Sequence, residues 1–279
     1  NTPEDLDRFR REVQMTAKLK HPNTVTIYDY GRTDDGTFYY AMELLDGVTL
    51  VEVVLVDGPQ PEARVLHILQ QCAMALHEAH EMGLVHRDIK PNNIMLTEQG
   101  GVHDVTKVLD FGLVKNIGPS TDATNTVSEA IIGTPRFMSP EQILDPPSVD
   151  ARSDLYALGA VGYYLLTGDF VFEGTNAIEI CAQHLSAEPE LPSRRVENDI
   201  DPELELLIMQ CLEKKREDRP ESALEIARRL EALAVGRWSQ ENAAQWWSTI
   251  GRGIVMMRDE EVGVGSLATI QAGLMERGT

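Results

Sequence analysis

The chain has 279 residues, a formal net charge of −20 at pH 7 and a hydrophobic content of 42%. This length allows one large domain or two lobes, and the hydrophobic content is enough to fill a core. The excess of acidic residues argues against nucleic acid as a partner, because phosphate backbones select basic surfaces.

Cysteine content and hydropathy bear on the compartment. The three cysteines are far apart and match no metal-binding spacing, which is typical of a reducing environment. The longest apolar run, residues 155–166, is too short to span a bilayer and predicts a buried helix. We therefore expect a cytoplasmic location, which still allows a membrane anchor elsewhere in the protein. Because the first residue is Asn1 rather than Met, we expect the chain to be a piece of a longer protein.

An amphipathic pattern predicts a helix over residues 4–20. Leu6, Phe9 and Val13 form an apolar face with charged residues between them. The sequence His-Pro-Asn at residues 21–23 then ends the helix.

The next elements are two strands and two helices. Residues 25–30 and 37–43 are β-branched and aromatic runs, and the turn Asp34-Asp35-Gly36 between them predicts a hairpin. A short helix over residues 49–57 and a long helix over residues 61–82 follow, with apolar residues of the long helix at helical spacing.

The stretch His-Arg-Asp-Ile-Lys-Pro-Asn-Asn at residues 86–93 concentrates chemically useful groups. Asp88 can accept a proton from an attacking hydroxyl, and Lys90 can neutralise a phosphoryl group. Asn93 offers an amide oxygen to a hard cation such as Mg²⁺. A base, a charge neutraliser and a metal ligand are the parts that phosphoryl transfer needs, since its catalysis is mostly positioning and electrostatics.

Further motifs follow in order along the chain. Asp110-Phe111-Gly112 comes directly after a predicted strand over residues 106–109. Gly133-Thr134-Pro135 and then Ser139-Pro140-Glu141 lie downstream. The pattern of residues 142–233 is mostly helical.

The C-terminal part begins with a predicted helix over residues 223–233, for which Ser222 is the expected N-cap. Ser239 is the expected N-cap of a further helix that ends at Thr249. The tryptophans of the chain all lie in this region, at Trp238, Trp246 and Trp247. Trp246 and Trp247 either pack back on the preceding lobe or dock to another domain.

Two local patterns resemble sites and are rejected. His77 and His80 could share a metal ion, but no third ligand stands at a telling spacing, so surface or packing roles are expected. Residues 263–268 match the dinucleotide fingerprint G-x-G-x-x-A, but the few residues that follow leave no space for a βαβ unit.

Together the ordered motifs resemble those of protein kinases: the catalytic loop H-R-D-x-K-x-x-N, then D-F-G, then A-P-E with Ser139 in place of alanine. Lys90 is the form typical of serine/threonine kinases. The phrases at residues 21–31 and 46–50 favour the bacterial, Hanks-type branch. The resemblance covers residues 4–233 and implies an α+β, two-lobed protein-kinase-like fold, with a complete, mostly helical large lobe and a partial small β lobe.

The resemblance implies transfer of the ATP γ-phosphate to Ser or Thr hydroxyls of protein substrates, with ATP and Mg²⁺ (or Mn²⁺) as cofactors. Asp88 would be the general base, and Lys90 would contact the γ-phosphate. Asn93 and Asp110 would hold the metal ion. Thr134 would buttress Asp88 and Lys90.

It also implies the residues around the adenine ring. Met42 would be the gatekeeper, although an ordinary core role is compatible with the same position. Backbone groups of Glu43 and Leu45, in the hinge between the lobes, would face adenine, and Met95 would lie beneath it.

Other motif positions have structural or regulatory roles in the family. Glu12, in the helix corresponding to αC, is the candidate partner of an ATP-contacting lysine, with a surface charge as the plainer alternative. Asp154 would begin a buried central helix, and Glu141 would pair with Arg219. The remaining motif residues are His86, Arg87, Phe111 and Gly112.

A polar segment lies between Gly112 and Gly133. It is either a mobile loop or an activation loop, and the two interpretations are compatible because phosphorylation orders mobile loops. Thr124 and Thr126 are the candidate phosphorylation sites, and Arg87 is the cation with which such a phosphate would pair.

The front of the family pattern is missing. A kinase should carry a glycine-rich strand pair and a V-A-x-K strand before the first helix, and Lys18 and Lys20 cannot replace the strand lysine. We expect residues 1–279 alone to be inactive or weak and the parent protein to be active.

We divide the chain into a small-lobe remnant over residues 1–46, a large lobe over residues 47–233 and an extension or linker over residues 234–279. The competing function is a pseudokinase or scaffold that binds partners without chemistry, and a small-molecule kinase ranks third. The sequence upstream of residue 1 would discriminate between enzyme and scaffold. Further domains or dimerisation of the full-length protein are compatible with either function.

Overall fold

The computed structural model describes residues 13–33, 38–111 and 135–258. Of the helix predicted over residues 4–20, residues 13–16 are described as helical, and the chain turns at residues 17–18. Some predicted site residues lie outside the described part of the chain, namely Glu12, Gly112, Thr124, Thr126 and Thr134.

A two-stranded antiparallel sheet forms the predicted hairpin. β1 (Ile27–Arg32) pairs with β2 (Phe38–Met42). An isolated parallel bridge between Thr24 and Val108 joins this part of the chain to the rest. The bridge places the small sheet beside the strand that leads to the Asp110 motif.

A second antiparallel sheet has the strand order β3-β4-β5. The predicted catalytic residues lie where β4 begins and where β5 ends. Its strands are β3 (Gly47–Thr49), β4 (Ile94–Gln99) and β5 (Val102–Val108). The loop of residues 86–93 runs directly into β4, and Asp110 follows β5 by two residues. Because β4 and β5 are antiparallel neighbours and Ile94 pairs with Val108, the start of β4 and the end of β5 lie side by side, and both motifs meet there.

Two helices separate β3 from β4, namely α1 (Leu50–Asp57) and α2 (Glu62–Glu81). α1 begins with a capping box in which Thr49 and Glu52 satisfy each other's backbone N–H groups. The apolar face predicted for α2 is buried, so the helical periodicity located the core side of this helix correctly.

The remaining helices form the large lobe. Their bounds are α3 (Pro140–Leu144), α4 (Ala151–Thr167), α5 (Ala177–Ser186), α6 (Pro202–Cys211), α7 (Ala223–Ala232) and α8 (Gln240–Trp246). A π-helical turn over Trp247–Gly251 continues α8, and residues 252–258 are helical. The N-caps predicted at Ser222 and Ser239 are confirmed, since each side chain accepts a backbone N–H of its helix.

The helix α4 lies at the centre of the core and is buried on nearly every side. Two glycines permit this packing. A Cβ atom at Gly159 would lie 2.5 Å from the Cβ of Cys211, and one at Gly162 would lie 2.9 Å from Leu69. The small residues therefore let α6 and α2 approach the central helix closely.

None of the helices that the structure describes has both the length and the apolar character needed to cross a membrane.

Candidate active site

The first turn of α4 fixes the start of the loop of residues 86–93 through hydrogen bonds. The carboxylate of Asp154 accepts the backbone N–H groups of His86 and Arg87, each at 2.8 Å, and lies 2.8 Å from Nε2 of His80. Gln142 donates its side-chain amide to the carbonyl of Arg87 at 2.9 Å. Arg87 has a φ of 65°, a left-handed conformation that non-glycine residues rarely adopt. These hydrogen bonds hold the strained backbone in place.

His86 connects the loop to the segment that carries Asp110. Its Nε2–H donates to the carbonyl of Leu109 at 2.7 Å, and its Nδ1 accepts the backbone N–H of Asp88 at 3.2 Å. Only a neutral ring can do both. Burial lowers the pKa of His86, which favours this neutral form. The ring also packs on Phe111, with 4.5 Å between the ring centroids.

Asp88, Lys90 and Asn93 form one hydrogen-bonded group. Oδ2 of Asp88 lies 2.8 Å from Nζ of Lys90 and accepts the side-chain amide of Asn93 at 3.0 Å. The same amide donates to the backbone carbonyl of Asp88 at 2.9 Å. The two donors hold the carboxylate of Asp88 in one orientation. With its nitrogen engaged, Asn93 retains its side-chain oxygen as the atom that could bind a metal ion.

Asp110 is placed beside this group by the backbone. The N–H of Leu109 donates to the carbonyl of Asn93 at 2.9 Å, and Asp110 itself has a left-handed φ of 49°. Its Oδ1 accepts the phenol of Tyr40, on β2, at 3.0 Å. Burial and the neighbouring charge of Asp110 raise the pKa of Tyr40 to about 12, so the phenol remains a proton donor.

Glu43 lies in the predicted hinge, where its side chain has structural partners. Its carboxylate accepts the backbone N–H of Thr26 at 2.8 Å and lies 2.9 Å from Nζ of Lys107. Burial acts to raise the pKa of Glu43, but the hydrogen bonds from Lys107 and Thr26 outweigh it and lower the pKa. The backbone N–H of Glu43 donates to the carbonyl of Thr26 at 2.9 Å, which fixes the backbone of Glu43 beside β1.

The other predicted adenine contacts border the hinge. Met95, on β4, is 9% exposed and pairs with Thr49 and Lys107 on the flanking strands. Met42, at the end of β2, is 42% exposed. Leu45 is partly buried and precedes β3 by two residues. The sheet therefore supplies an apolar floor next to the hinge backbone.

Glu141 and Arg219 meet below the loop. Nη1 and Nη2 of Arg219 donate to the two carboxylate oxygens of Glu141 at 2.7 and 2.8 Å. Ser153 donates to the same carboxylate. Burial would raise the pKa of Glu141, but these hydrogen bonds and the guanidinium charge hold the pKa at about 2. The pair ties α3, the start of α4 and the segment before α7 together.

The donor set fits a magnesium–nucleotide complex. Mg²⁺ is commonly held by one or two carboxylates plus substrate phosphates, and the side-chain oxygens of Asn93 and Asp110 are groups that could serve as such ligands. Among the described residues, no group of three or more His, Cys, Asp or Glu side chains could hold a metal ion. His80, considered above as a metal ligand, instead faces Asp154.

Several supporting residues were not found from the sequence. Gln142, His80, Tyr40 and Lys107 each contact a predicted site residue from a distant part of the chain. Lys107 lies 64 positions from its partner Glu43, and Tyr40 lies 70 positions from Asp110. No local pattern marks such pairs, because their spacing carries no helical or strand period.

Comparison with known proteins identifies the class. A family profile of the protein kinase domain matches residues 1–229. The chain belongs to the protein kinase domain family. It is 40% identical over 239 residues to the serine/threonine-protein kinase pkn3 of Myxococcus xanthus, a match that covers 85% of this chain and 43% of that protein.

A second relative is the serine/threonine-protein kinase PknB of Mycobacterium leprae. The identity is 40% over 222 residues and covers 78% of this chain and 34% of the relative. The chain thus spans less than half the length of these curated relatives.

Solved structures give the same fold. The PknI kinase domain of Mycobacterium tuberculosis superposes with a TM-score of 0.62 at 26% identity, covering 82% of this chain and 79% of that one. Rad53 residues 1–466 in complex with AMP-PNP gives a TM-score of 0.65 at 25% identity, covering 80% and 54%. The predicted α+β protein-kinase-like fold, with a helical large lobe and a small antiparallel sheet lobe, is confirmed.

Proposed function

We propose that this protein is a serine/threonine protein kinase that transfers the γ-phosphate of ATP to Ser or Thr hydroxyls of protein substrates. The observation that carries the proposal is the group of Asp88, Lys90 and Asn93 on a loop fixed by Asp154. The carboxylate of Asp88 lies within hydrogen-bonding distance of the cation of Lys90 and of the side-chain amide of Asn93. This preorganisation is what phosphoryl transfer requires.

Each polar side chain then has a role. Asp88 accepts the proton of the attacking hydroxyl, and Lys90 contacts the γ-phosphate while it keeps the carboxylate oriented. Asn93 and Asp110 would hold Mg²⁺ or Mn²⁺, and the bound ion would supply positive charge beside the phosphates. Tyr40 fixes the orientation of Asp110 through its phenol.

The nucleotide occupies the space between the hinge and β4. The carbonyl of Glu43 and the backbone of Leu45 face the adenine, Met95 lies under the ring, and Met42 borders its inner edge. Support comes from the hydrogen bond that fixes the Glu43 backbone on Thr26 and from the burial of Met95. An apolar surface with a few backbone polar groups is the usual composition of such a site.

Regulation is proposed for residues outside the described part of the chain. Thr124 or Thr126 is the phosphorylation site, and Arg87 pairs with the phosphate. By the same proposal Thr134 would support the catalytic loop, and Glu12 would pair with a strand lysine. The backbone of Arg87 is hydrogen-bonded to Asp154 and Gln142. A phosphothreonine that pairs with the Arg87 side chain would therefore act directly on the catalytic loop.

We also propose a cytoplasmic location for the kinase domain. The cysteines are free thiols at Cys72, Cys181 and Cys211, as in a reducing compartment that contains ATP.

The test is Asp88→Asn in the full-length protein. Asparagine retains the shape and one acceptor oxygen but cannot take up a proton. We expect kcat to fall by about 10²- to 10⁴-fold, the usual contribution of a general base, with ATP affinity nearly unchanged. The control is Asn92→Ala, which alters an exposed residue of the same loop. Wild-type turnover by the Asp88→Asn protein would overturn the assignment.

A further inference from the structure

The last described segment, residues 234–258, packs along the back of the sheet and reaches the hinge. We call it the strap. It lies beyond residues 1–229, which match the protein kinase family. It contains α8, the π-helical turn and the helix of residues 252–258. All three tryptophans of the chain lie in it and pack back on the lobe rather than facing outward.

The strap is anchored on one buried carboxylate, that of Asp104 on β5. Oδ2 of Asp104 accepts Nε of Arg64 and Nε1 of Trp238, both at 2.8 Å. Oδ1 accepts Nη2 of Arg64 at 3.1 Å and Nε1 of Trp247 at 2.7 Å. Two donors come from α2 and two from the strap. The carboxylate is fully satisfied only when the strap is docked.

The aromatic rings of the strap cover the other partner of this ion pair. The guanidinium carbon of Arg64 lies 3.7 Å from the ring centroid of Trp246, within cation–π range. Nε1 of Trp246 donates to Asp57 at the end of α1 at 2.8 Å. Arg64 and Asp104 are both 0% exposed. A buried ion pair is favourable only when its geometry and hydrogen bonds are complete, and here the strap completes them.

The strap also holds the two outer strands of the sheet. The side-chain amide of Gln240 donates to and accepts from the backbone of His103, on β5, at 3.2 and 2.9 Å. At the other end, Nη1 of Arg258 donates to the carbonyl of Gly47 at 2.9 Å. Gly47 is the first residue of β3, two positions after Leu45 in the hinge. The strand between them, β4, carries Met95.

We propose that the strap is a positioning element of the nucleotide site, and that Arg258 fixes the hinge end of β3 for adenine binding. This inference rests on the proposed function. By this proposal residues 234–258 increase the affinity for ATP and are more than a linker. The chemistry at Asp88 lies on the other end of the sheet and does not touch the strap. Undocking of the strap therefore raises KM for ATP and leaves kcat nearly unchanged.

The experiment compares Arg258→Gln with Arg228→Gln in the full-length protein. Arg228 is exposed on α7, so the control removes the same charge away from the strap. The glutamine side chain is shorter than that of arginine, so its amide does not reach the carbonyl of Gly47, and its neutral amide also ends the 4.0 Å contact of Arg258 with the carboxylate of Glu52. One hydrogen bond contributes about 0.5–1.5 kcal/mol, so we expect Arg258→Gln to raise KM for ATP about two- to tenfold, with kcat within twofold. Arg258→Lys retains a donor and should recover part of the affinity. Trp247→Phe removes one donor to Asp104 and should act in the same direction.

Hydrogen exchange of residues 43–49 supplies a readout that does not require turnover. We expect faster exchange there in Arg258→Gln than in wild type or Arg228→Gln. Unchanged KM and unchanged exchange would overturn the proposal, and so would a fall in kcat at constant KM. If the wild-type protein transfers no phosphate, the proposed function fails by itself. Binding of a fluorescent ATP analogue and the exchange data still decide the role of the strap.

Discussion

Individual side chains at this site satisfy several partners at once. Asp154 accepts two backbone N–H groups of the catalytic loop, and His86 bridges that loop to Leu109 through its two ring nitrogens. Each such group would be costly to leave unpaired in the interior. The geometry of Asp88 therefore depends on residues that take no part in proton transfer.

Glu141 is the residue whose charge state makes stability depend on pH. Its folded pKa of about 2 lies below the ordinary value of 4.5. For a depressed pKa, the stabilisation is complete above pH 4.5 and is lost as the pH falls from there toward 2. Breaking a buried ion pair leaves Arg219 uncompensated, so Glu141→Gln should lower the free energy of unfolding by about 3 kcal/mol at pH 7.

Urea unfolding of wild type and Glu141→Gln over a pH series checks this expectation. The difference in stability should narrow as the pH falls below 4.5. Glu217→Gln is the control, because Glu217 is an exposed residue that pairs with Arg216 on the surface. A constant difference between the proteins from pH 7 to pH 3 would show that Glu141 does not stabilise the fold through its charge.

Among the elements, those with local signals were predicted well from the sequence. The buried face of α2 follows from periodicity, and the starts of α7 and α8 follow from serine N-caps. Strand bounds were shifted, since β1 begins at Ile27 rather than at residue 25. A strand ends where its partner stops pairing, which no single segment encodes. The π-helical turn after α8 matches no local sequence pattern, so it was not predicted.

The central helix α4 offers a test of close packing between elements. Gly159→Ala would improve helix propensity by about 1 kcal/mol. The added Cβ would, however, lie 2.5 Å from the Cβ of Cys211 and 3.2 Å from the carbonyl oxygen of Ile208. Overpacking of this kind costs about 1–3 kcal/mol and cannot relax into open space. The packing cost exceeds the propensity gain, so we expect a lower free energy of unfolding.

The matched control is Gly253→Ala. Gly253 lies in the helix of residues 252–258, where a Cβ would meet no atom within 4 Å. Propensity alone then acts, and this variant should be neutral or more stable by up to about 1 kcal/mol. Thermal unfolding of both variants provides the comparison. If Gly159→Ala raised the melting temperature as much as Gly253→Ala, α4 and α6 would not be in close contact through this glycine.

At the scale of the whole molecule, the motifs predicted the fold but not the extent of the packed unit. Their order along the chain predicts a shared site for Asp88, Asn93 and Asp110, whose segments meet at one edge of the sheet. The anchoring of the strap was not predictable, because Trp238 lies 134 positions from Asp104 and Trp247 lies 143 positions from it. Two alternatives were open for the tryptophans, and the structure shows that they pack on the preceding lobe.

Asp104→Asn tests whether this packing stabilises the entire unit. Asparagine retains the volume and tolerates the positive φ of 55° at this position, so the substitution removes charge and acceptors without new backbone strain. Arg64 would remain buried without its counter-ion, and at least one indole N–H would lose its acceptor. Uncompensated buried charge costs about 3–5 kcal/mol, a large part of the stability of a typical domain.

Asp57→Asn is the control, since Asp57 is exposed and accepts one indole N–H at 2.8 Å. This substitution should lower the free energy of unfolding by less than about 1 kcal/mol. Urea unfolding followed by tryptophan fluorescence reports both the stability and the environment of the strap. If the two variants lost equal stability, the buried Arg64–Asp104 pair would contribute no more than an exposed acceptor does, and the strap would not form part of the cooperative core.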